Sequence, residues 1–497
     1  MVLDRDICYR AVRARDRRFD GRFFTGVTST GVYCRPVCPA RTPRREHCTF
    51  FACAAAAEEA GFRPCRRCRP ESAPGTPAWE GTSTTVQRAL RLIDEGALDG
   101  DSVDRLAERL GVGGRHLRRL FALHLGATPR AVARTRRIHF ARRLIVETDL
   151  PLGRVALAAG FGCVRRFNAA LRDALGCAPS ALRRRGAGVA GAGPAGRGDA
   201  VALQLAFRPP LAWETLLGYL AARAVPGLER IDRSRGEYRR LVRTPGGSGT
   251  IAVRLRDRDV LELRVDSGLA GSLLDLVRSA RALFDLDADP GAVARTLSAD
   301  PLLGPLVARR PGLRVPGTWD RWELAVRAIL GQQVSVAGAR TLAGRLVARF
   351  GTAVERDDGL WHLFPEPERL VDADLRAVGI PVARQEALRG CARAWLAEPL
   401  LESAATADEA VSRLAALPGI GPWTAGYIAL RALRDPDALP AADLGLRRAL
   451  AVDFGGRRPT PREVVARAER WRPWRGYAVL HLWQAEAGTT DLREESG

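Results

Sequence analysis

Apolar residues recur along this chain with two periods, and the switches between them mark out its elements. From Val103 to Leu110 they keep helical spacing, Gly111–Gly113 breaks the pattern, and RHLRRLFALHL resumes it. The arrangement returns 50 positions later: Leu117 echoes in Phe167, Phe121 in Leu171, Gly126 in Gly176 and Pro129 in Pro179. Two copies of one helical unit are predicted, the second running from Arg154 to Ala159, through Gly160-Phe161-Gly162, into VRRFNAALRDAL, with Phe121 and Phe167 at the buried phase. Period two appears at Ile251, Val253 and Leu255 and again at Leu261, Leu263 and Val265, across Asp257-Arg258-Asp259, which predicts a β-hairpin. Before it, LAWETLLGYLAARAV reads as an amphipathic helix. From Trp319 onward the chain reads as helical, with Trp322, Val326, Ile329 and Leu330 on one face. Farther on, LPGIGPWTAGYIALRALRDPDALPAAD sets a glycine-punctuated turn between two apolar helical runs; Pro440 ends the second, and Asp443 follows.

At 497 residues the chain predicts roughly three or four domains. All 78 basic residues are arginine, and the net charge is +22. Residues 1–185 carry 35 arginines against 18 acidic residues, the remainder 43 against 38, so the first third is the expected polyanion binder. No apolar run approaches the ~20 residues of a membrane span and no secretory segment follows Met1, so a cytoplasmic protein is expected. Of ten cysteines, six fall within residues 34–68. In a chain this long, that clustering points to metal binding or thiol chemistry rather than a disulfide framework.

Cys34 and Cys38 are separated by three residues, Cys65 and Cys68 by two, and the 26 residues between the pairs suffice for a strand and a helix that bring them together. Two such pairs fit tetrahedral zinc, with Cys48 and Cys53 filling core or surface rather than ligating. On spacing alone the site is closed and structural. The segment from TGVYCRPVCPAR to AGFRPCRRC, however, resembles the zinc domain of the Ada alkylation-response regulators. The resemblance implies that Cys34 accepts a methyl group from a DNA methylphosphotriester, with Cys38, Cys65 and Cys68 as co-ligands. A zinc-held thiol stays deprotonated and nucleophilic at neutral pH. Four thiolates around a dication leave a charge of −2; methylating one lowers it and should strengthen DNA binding. Thr30, Arg41 and Arg63 match the family's DNA-contact positions, while Pro39 departs from it where a basic residue is known.

The repeated helical unit resembles the paired helix-turn-helix domain of AraC-type regulators. This implies two recognition helices in successive major grooves, with Arg115, His116, Arg118, Arg165, Arg166 and Asn168 as candidates to face DNA. PESAPGTPAWEG precedes this block, and the Gly/Ala-rich GAGVAGAGPAGRGD reads as a flexible linker after it.

In the C-terminal part, Gly419 and Gly421 let the turn come close to a phosphate, whose charge suits the helix start beyond it. A carboxylate just past such a hairpin suits N-glycosidic bond cleavage, where a sugar cation develops. The string resembles the helix-hairpin-helix DNA glycosylases, and among them the AlkA-type 3-methyladenine enzymes. The resemblance implies Asp443 as the catalytic residue and Tyr219, Trp423, Tyr427 and Trp483 as the walls of the base pocket, by GYLAAR, GPWTAGY and AVLHLW. An alkylated purine is cationic, so stacking on these rings gains a cation–π term of roughly 0.5–2 kcal/mol. AILGQQVSVAGARTLAGRL also resembles that family, which implies that the residue entering the duplex is Gln333, where leucine stands in the best-known member. Trp423 occupies the position that is lysine in strand-nicking relatives; without lysine no side-chain Schiff base forms, and a monofunctional glycosylase with water as final nucleophile is expected. Cys391 alone after Cys177 excludes a four-cysteine iron–sulfur cluster, and no PCHR acceptor sequence occurs.

The expected fold is multidomain α+β: a zinc-bound α+β module at 1–72, an all-α paired helix-turn-helix domain at 82–185, a linker at 186–200, an α+β subdomain at 201–310 and an all-α helix-hairpin-helix domain at 311–490. The expected function joins transcription activation, methyl acceptance and excision of alkylated purines, with Zn²⁺ as the metal, double-stranded DNA and RNA polymerase as partners, no membrane, and a monomeric state. The alternative is a transcription regulator with structural zinc only and a separate or inactive glycosylase domain.

Overall fold

A computed structural model describes residues 4–73, 84–94, 96–186, 200–398, 400–401 and 407–494. Most of the two linker segments lies outside the described residues. The chain forms two compact units, one of residues 1–208 with 243–278 and 286–288, the other of residues 209–242 with 279–285 and 289–497.

The first unit opens with a four-stranded sheet in the order Cys48–Phe51, Phe24–Val27, Val32–Cys34, Arg63–Pro64, its last pair parallel and the others antiparallel. Strand Cys48–Phe51 and helix Ala54–Glu59 are the strand and helix expected between the cysteine pairs. Cys48 and Cys53, which the sequence leaves to core or surface, are buried. The paired helical units follow the repeat. Helices Val103–Arg109 and Gly114–Leu125 form the first, Leu152–Ala158 and Val164–Leu175 the second, and the 19-residue helix Pro129–Glu147 joins them. Ser102 and Thr128 cap their helices by accepting from backbone N–H groups at 3.1 Å, and Pro129 supplies the fixed φ that a first helical position favours. Phe121 and Phe167 are fully buried. The predicted hairpin is present: Ile251 faces Val265, Val253 faces Leu263 and Leu255 faces Leu261, and Ala200–Ala206 pairs on the far side of Val260–Asp266.

In the second unit, helix Trp213–Arg223 precedes the paired strands Glu229–Asp232 and Glu237–Thr244. Helices Arg321–Leu330, Val336–Phe350, Val382–Ala397, Ala407–Ala415 and Pro422–Ala432 then build an apolar core that takes in Trp322, Val326, Ile329, Leu330 and Ile428. Four charged side chains cross this core. Glu229 and Glu323 hold Arg240 and Arg327, with Arg327 at 3.1 Å from Glu229 and 2.7 Å from Glu323. Removing one partner from such a set leaves an unpaired buried charge, costing about 3–5 kcal/mol. The structure departs from the sequence reading in two places. Strands Thr352–Arg356 and Gly359–Leu363 form a two-stranded hairpin inside the region expected to be all helical, because the alternating run turns at Asp357-Asp358-Gly359. The helix after the glycine turn stops at Ala432, well before Pro440, because Pro436 disfavours helical backbone at Asp435.

Candidate functional site

The sulfurs of Cys34, Cys38, Cys65 and Cys68 lie within 4.8 Å of one another. Zinc–sulfur bonds of ~2.3 Å place tetrahedral ligands ~3.8 Å apart, inside that limit, so these residues fit a four-thiolate site. Cys34 ends a strand, and the second pair lies on the turn after Arg63–Pro64, brought alongside by the parallel pairing of Tyr33 with Pro64. Without a cation the four thiols cannot all ionise. Arginines brace this turn. The Arg35 backbone N–H donates to Cys68 Sγ at 3.3 Å, and its guanidinium holds the Cys68 carbonyl at 3.2 Å and the Asp20 carboxylate.

The joining helix of the DNA reader packs polar groups against the same module. Arg142 pairs with Glu71 at 2.9 Å and reaches the Cys65 carbonyl at 3.5 Å, and Glu147 holds Arg69 at 3.0 Å. Tyr33, beside Cys34 in sequence and fully buried, donates to Glu58 at 2.8 Å and meets His139 Nε2 at 2.8 Å. Thr135 donates to the other oxygen of Glu58 at 2.5 Å. None of these contacts was read from the sequence. Thr30, Arg41 and Arg63 are exposed, as are Arg115, His116, Arg118, Arg165 and Arg166; Asn168 is half-buried. Arg118 is engaged by Asp104 at 3.2 Å, and the Arg63 guanidinium lies against Gly176 at the end of helix Val164–Leu175.

In the second unit Asp443 is 8 % exposed and caps helix Leu444–Ala449, accepting from the Leu446 N–H at 2.7 Å. The same oxygen accepts from Trp483 Nε1 at 2.8 Å, and the other from Trp423 Nε1 at 2.6 Å. A carboxylate met by three N–H donors is fixed in place. Trp423 stacks on Tyr427 with centroids 5.6 Å apart and planes 16° apart, Trp483 lies 6.2 Å from Tyr427, and the Tyr219 and Tyr427 hydroxyls meet at 3.3 Å. All four aromatics expected around the base therefore converge with Asp443. Sequence reasoning missed two arginines. Arg223 covers the Tyr219 ring at 3.8 Å, and Arg431 donates to the Tyr427 hydroxyl at 2.7 Å while its other nitrogens hold the Pro316 and Gly317 carbonyls. Burial alone would push the Tyr427 phenol up, but Arg431 and Arg223 outweigh it and bring it down to about 7. Their helical spacing from the tyrosines, four residues on in each case, was the available signal.

Gly419 has φ +79°, and a Cβ there would come within 2.6 Å of the Ala387 Cβ, so the turn admits only glycine. Gly421 caps helix Pro422–Ala432. Gln333 is exposed and also left-handed, with φ +53°.

Four family models tile the chain: the metal binding domain of Ada at residues 7–71, a helix-turn-helix domain at 106–185, the AlkA N-terminal domain at 202–320, and the HhH-GPD superfamily of base excision DNA repair proteins at 326–473. A probable bifunctional transcriptional activator/DNA repair enzyme AlkA of Mycobacterium tuberculosis is 45% identical over 97% of this chain and 96% of its own length. The chain belongs to this family. DNA-3-methyladenine glycosylase 2 of Escherichia coli is 37% identical over 58% of this chain and 98% of its own. A 3-methyladenine DNA-glycosylase from Archaeoglobus fulgidus shares the fold, at a TM-score of 0.51 and 24% identity over 57% of this chain and 98% of its own. Membership in the family accounts for the order of parts, an Ada-type sulfur site followed by a DNA reader and a helix-hairpin-helix domain. Among the described residues no helix is long and apolar enough to cross a membrane.

Proposed function

We propose that this member of the family reads alkylation damage with one centre and removes it with another. The observation that carries the reading is the Asp443 carboxylate, tied by the indole N–H groups of Trp423 and Trp483, which belong to the aromatic group that would hold the base. A purine extruded from the duplex and cationic through alkylation stacks on these rings and is already a good leaving group. Asp443 then stabilises the positive charge developing on the sugar. With three donors on its oxygens it serves as a fixed charge more than as a base, and it orients water on the sugar's open face. The turn at Gly419–Gly421 grips a phosphate, and Gln333 fills the space the base vacates.

In the first unit, Cys34, Cys38, Cys65 and Cys68 would hold Zn²⁺, which keeps their sulfurs ionised at neutral pH. The Cys34 sulfur attacks the methyl carbon of a DNA methylphosphotriester, and the phosphodiester leaves. Thr30, Arg41 and Arg63 contact the DNA backbone. The paired helix-turn-helix units supply within one chain the two reading heads that other regulators obtain by dimerising, which supports action as a monomer. The activator acts on RNA polymerase in the cytoplasm, where its cysteines stay reduced. The boundaries 1–72, 82–185, 201–310 and 311–490 are the domain limits that go with this reading. Release of free alkylated purine and abasic sites from methylated duplex DNA by the purified protein tests the enzymatic half; no release would refute it.

A further inference from the structure

Between helices Arg321–Leu330 and Val336–Phe350, the loop carrying Gln333 is anchored by its neighbour. Gln332 Nε2 donates to the Gly419 carbonyl at 2.8 Å and to Thr424 Oγ1 at 3.0 Å. A carbonyl can only accept, so the amide nitrogen must face it, which fixes the orientation of the side chain. One residue thereby ties the loop to the glycine turn and to the first turn of helix Pro422–Ala432. On either side of this tie the backbone is in the left-handed region, at Gln333 and at Gly419, so each segment has few alternative conformations. The Gln332 backbone N–H donates to Ile329 at 3.2 Å, which holds the anchor to the preceding helix.

We propose that Gln332 is a positioning residue for base extrusion: it couples the phosphate grip of the Gly419–Gly421 turn to the advance of Gln333 into the duplex. The proposal rests on the reading of that turn and of Gln333 given above. A wedge on an untethered loop would fill the vacated space only part of the time. With the tether, a duplex gripped at the turn meets a plug already held at a set distance. The Gln332 amide donates to protein atoms, at Gly419 and Thr424, so its loss should hinder extrusion and spare the chemistry that follows it.

The test uses full-length Gln332→Ala and Gln332→Glu, whose carboxylate cannot donate to the Gly419 carbonyl. Single-turnover release of 7-methylguanine is measured from a cytosine pair and from a mismatch, where extrusion costs less. Affinity for undamaged duplex is measured alongside. Both variants should release the paired base about tenfold more slowly, the loss expected for two hydrogen bonds of ordinary net strength. They should bind undamaged duplex within about twofold of wild type and recover most of the rate in the mismatch. Equal losses in both contexts, or no loss in either, would overturn the proposal. Gln333→Ala separates the underlying reading: if it matches wild type on the paired lesion, the plug reading fails, whatever Gln332 does.

Discussion

Four sulfurs meet within 4.8 Å in the first unit, while in the second a single carboxylate is met by three N–H donors. The two centres hold negative charge by opposite means. The carboxylate site is complete within the chain: among the described residues, every hydrogen bond to the Asp443 carboxylate comes from Trp423, Trp483 or the helix it caps. The sulfur site instead needs a cation among its four sulfurs to hold them all as thiolates. Mutation is therefore the sharper tool at the first, and metal removal at the second.

The largest effect should fall on excision. Asp443→Asn keeps the shape of the side chain and loses its charge, and base release from methylated DNA should drop about 10²–10³-fold. An unchanged rate would mean that the aromatic group alone does the work. Chelation by contrast should strip metal from the cysteine module, seen as zinc release to a colorimetric indicator, and abolish methyl uptake while excision continues. Arg142→Met tests how firmly the joining helix braces that module. It leaves the buried Glu71 with Arg69 alone, at 3.2 Å, and should destabilise the first unit by about 2 kcal/mol in chemical denaturation and speed zinc release. A loss below about 0.5 kcal/mol would put this contact in the class of surface pairs. Trp483→Phe keeps a ring and removes one donor from Asp443, for an expected loss of about tenfold in excision. The smallest effect concerns pH. His481 is buried and lowered to about 4, by burial first and Arg310 second. Its contribution is intact above the unfolded value near 6.5 and is lost as pH falls through 4, because the unfolded chain takes up the proton first. From pH 7 to 5.5 the loss should be about 1 kcal/mol, measured as the difference in denaturation between wild type and His481→Phe.

Much of this was legible in the sequence, and for definite reasons. The repeat from Leu117 and Phe121 to Phe167 and Leu171 located the reader because helical period and turn glycines are local signals. The spacing of Cys34, Cys38, Cys65 and Cys68 marked the metal ligands because ligation demands close pairs. The pairings that tie distant segments were not legible. Nothing local in Gln332 says that its amide reaches Gly419, nor in His139 that it meets Tyr33, since each partner is chosen by tertiary packing across about a hundred residues. The indole N–H groups belong to the same class. The sequence marks Trp423 and Trp483 as walls, and their direction toward Asp443 emerges only once the helices are assembled.

The independence of the two centres is tested most directly in one reaction. Wild type, Cys34→Ala and Asp443→Asn are each incubated with methylated duplex DNA, and the protein's mass and the released purines are read from the same sample. Wild type should gain a single methyl group and release base, Cys34→Ala should only release base, and Asp443→Asn should only gain the methyl group. A wild-type protein that gains no methyl group on Cys34, or a single substitution that silences both readouts, would contradict the account.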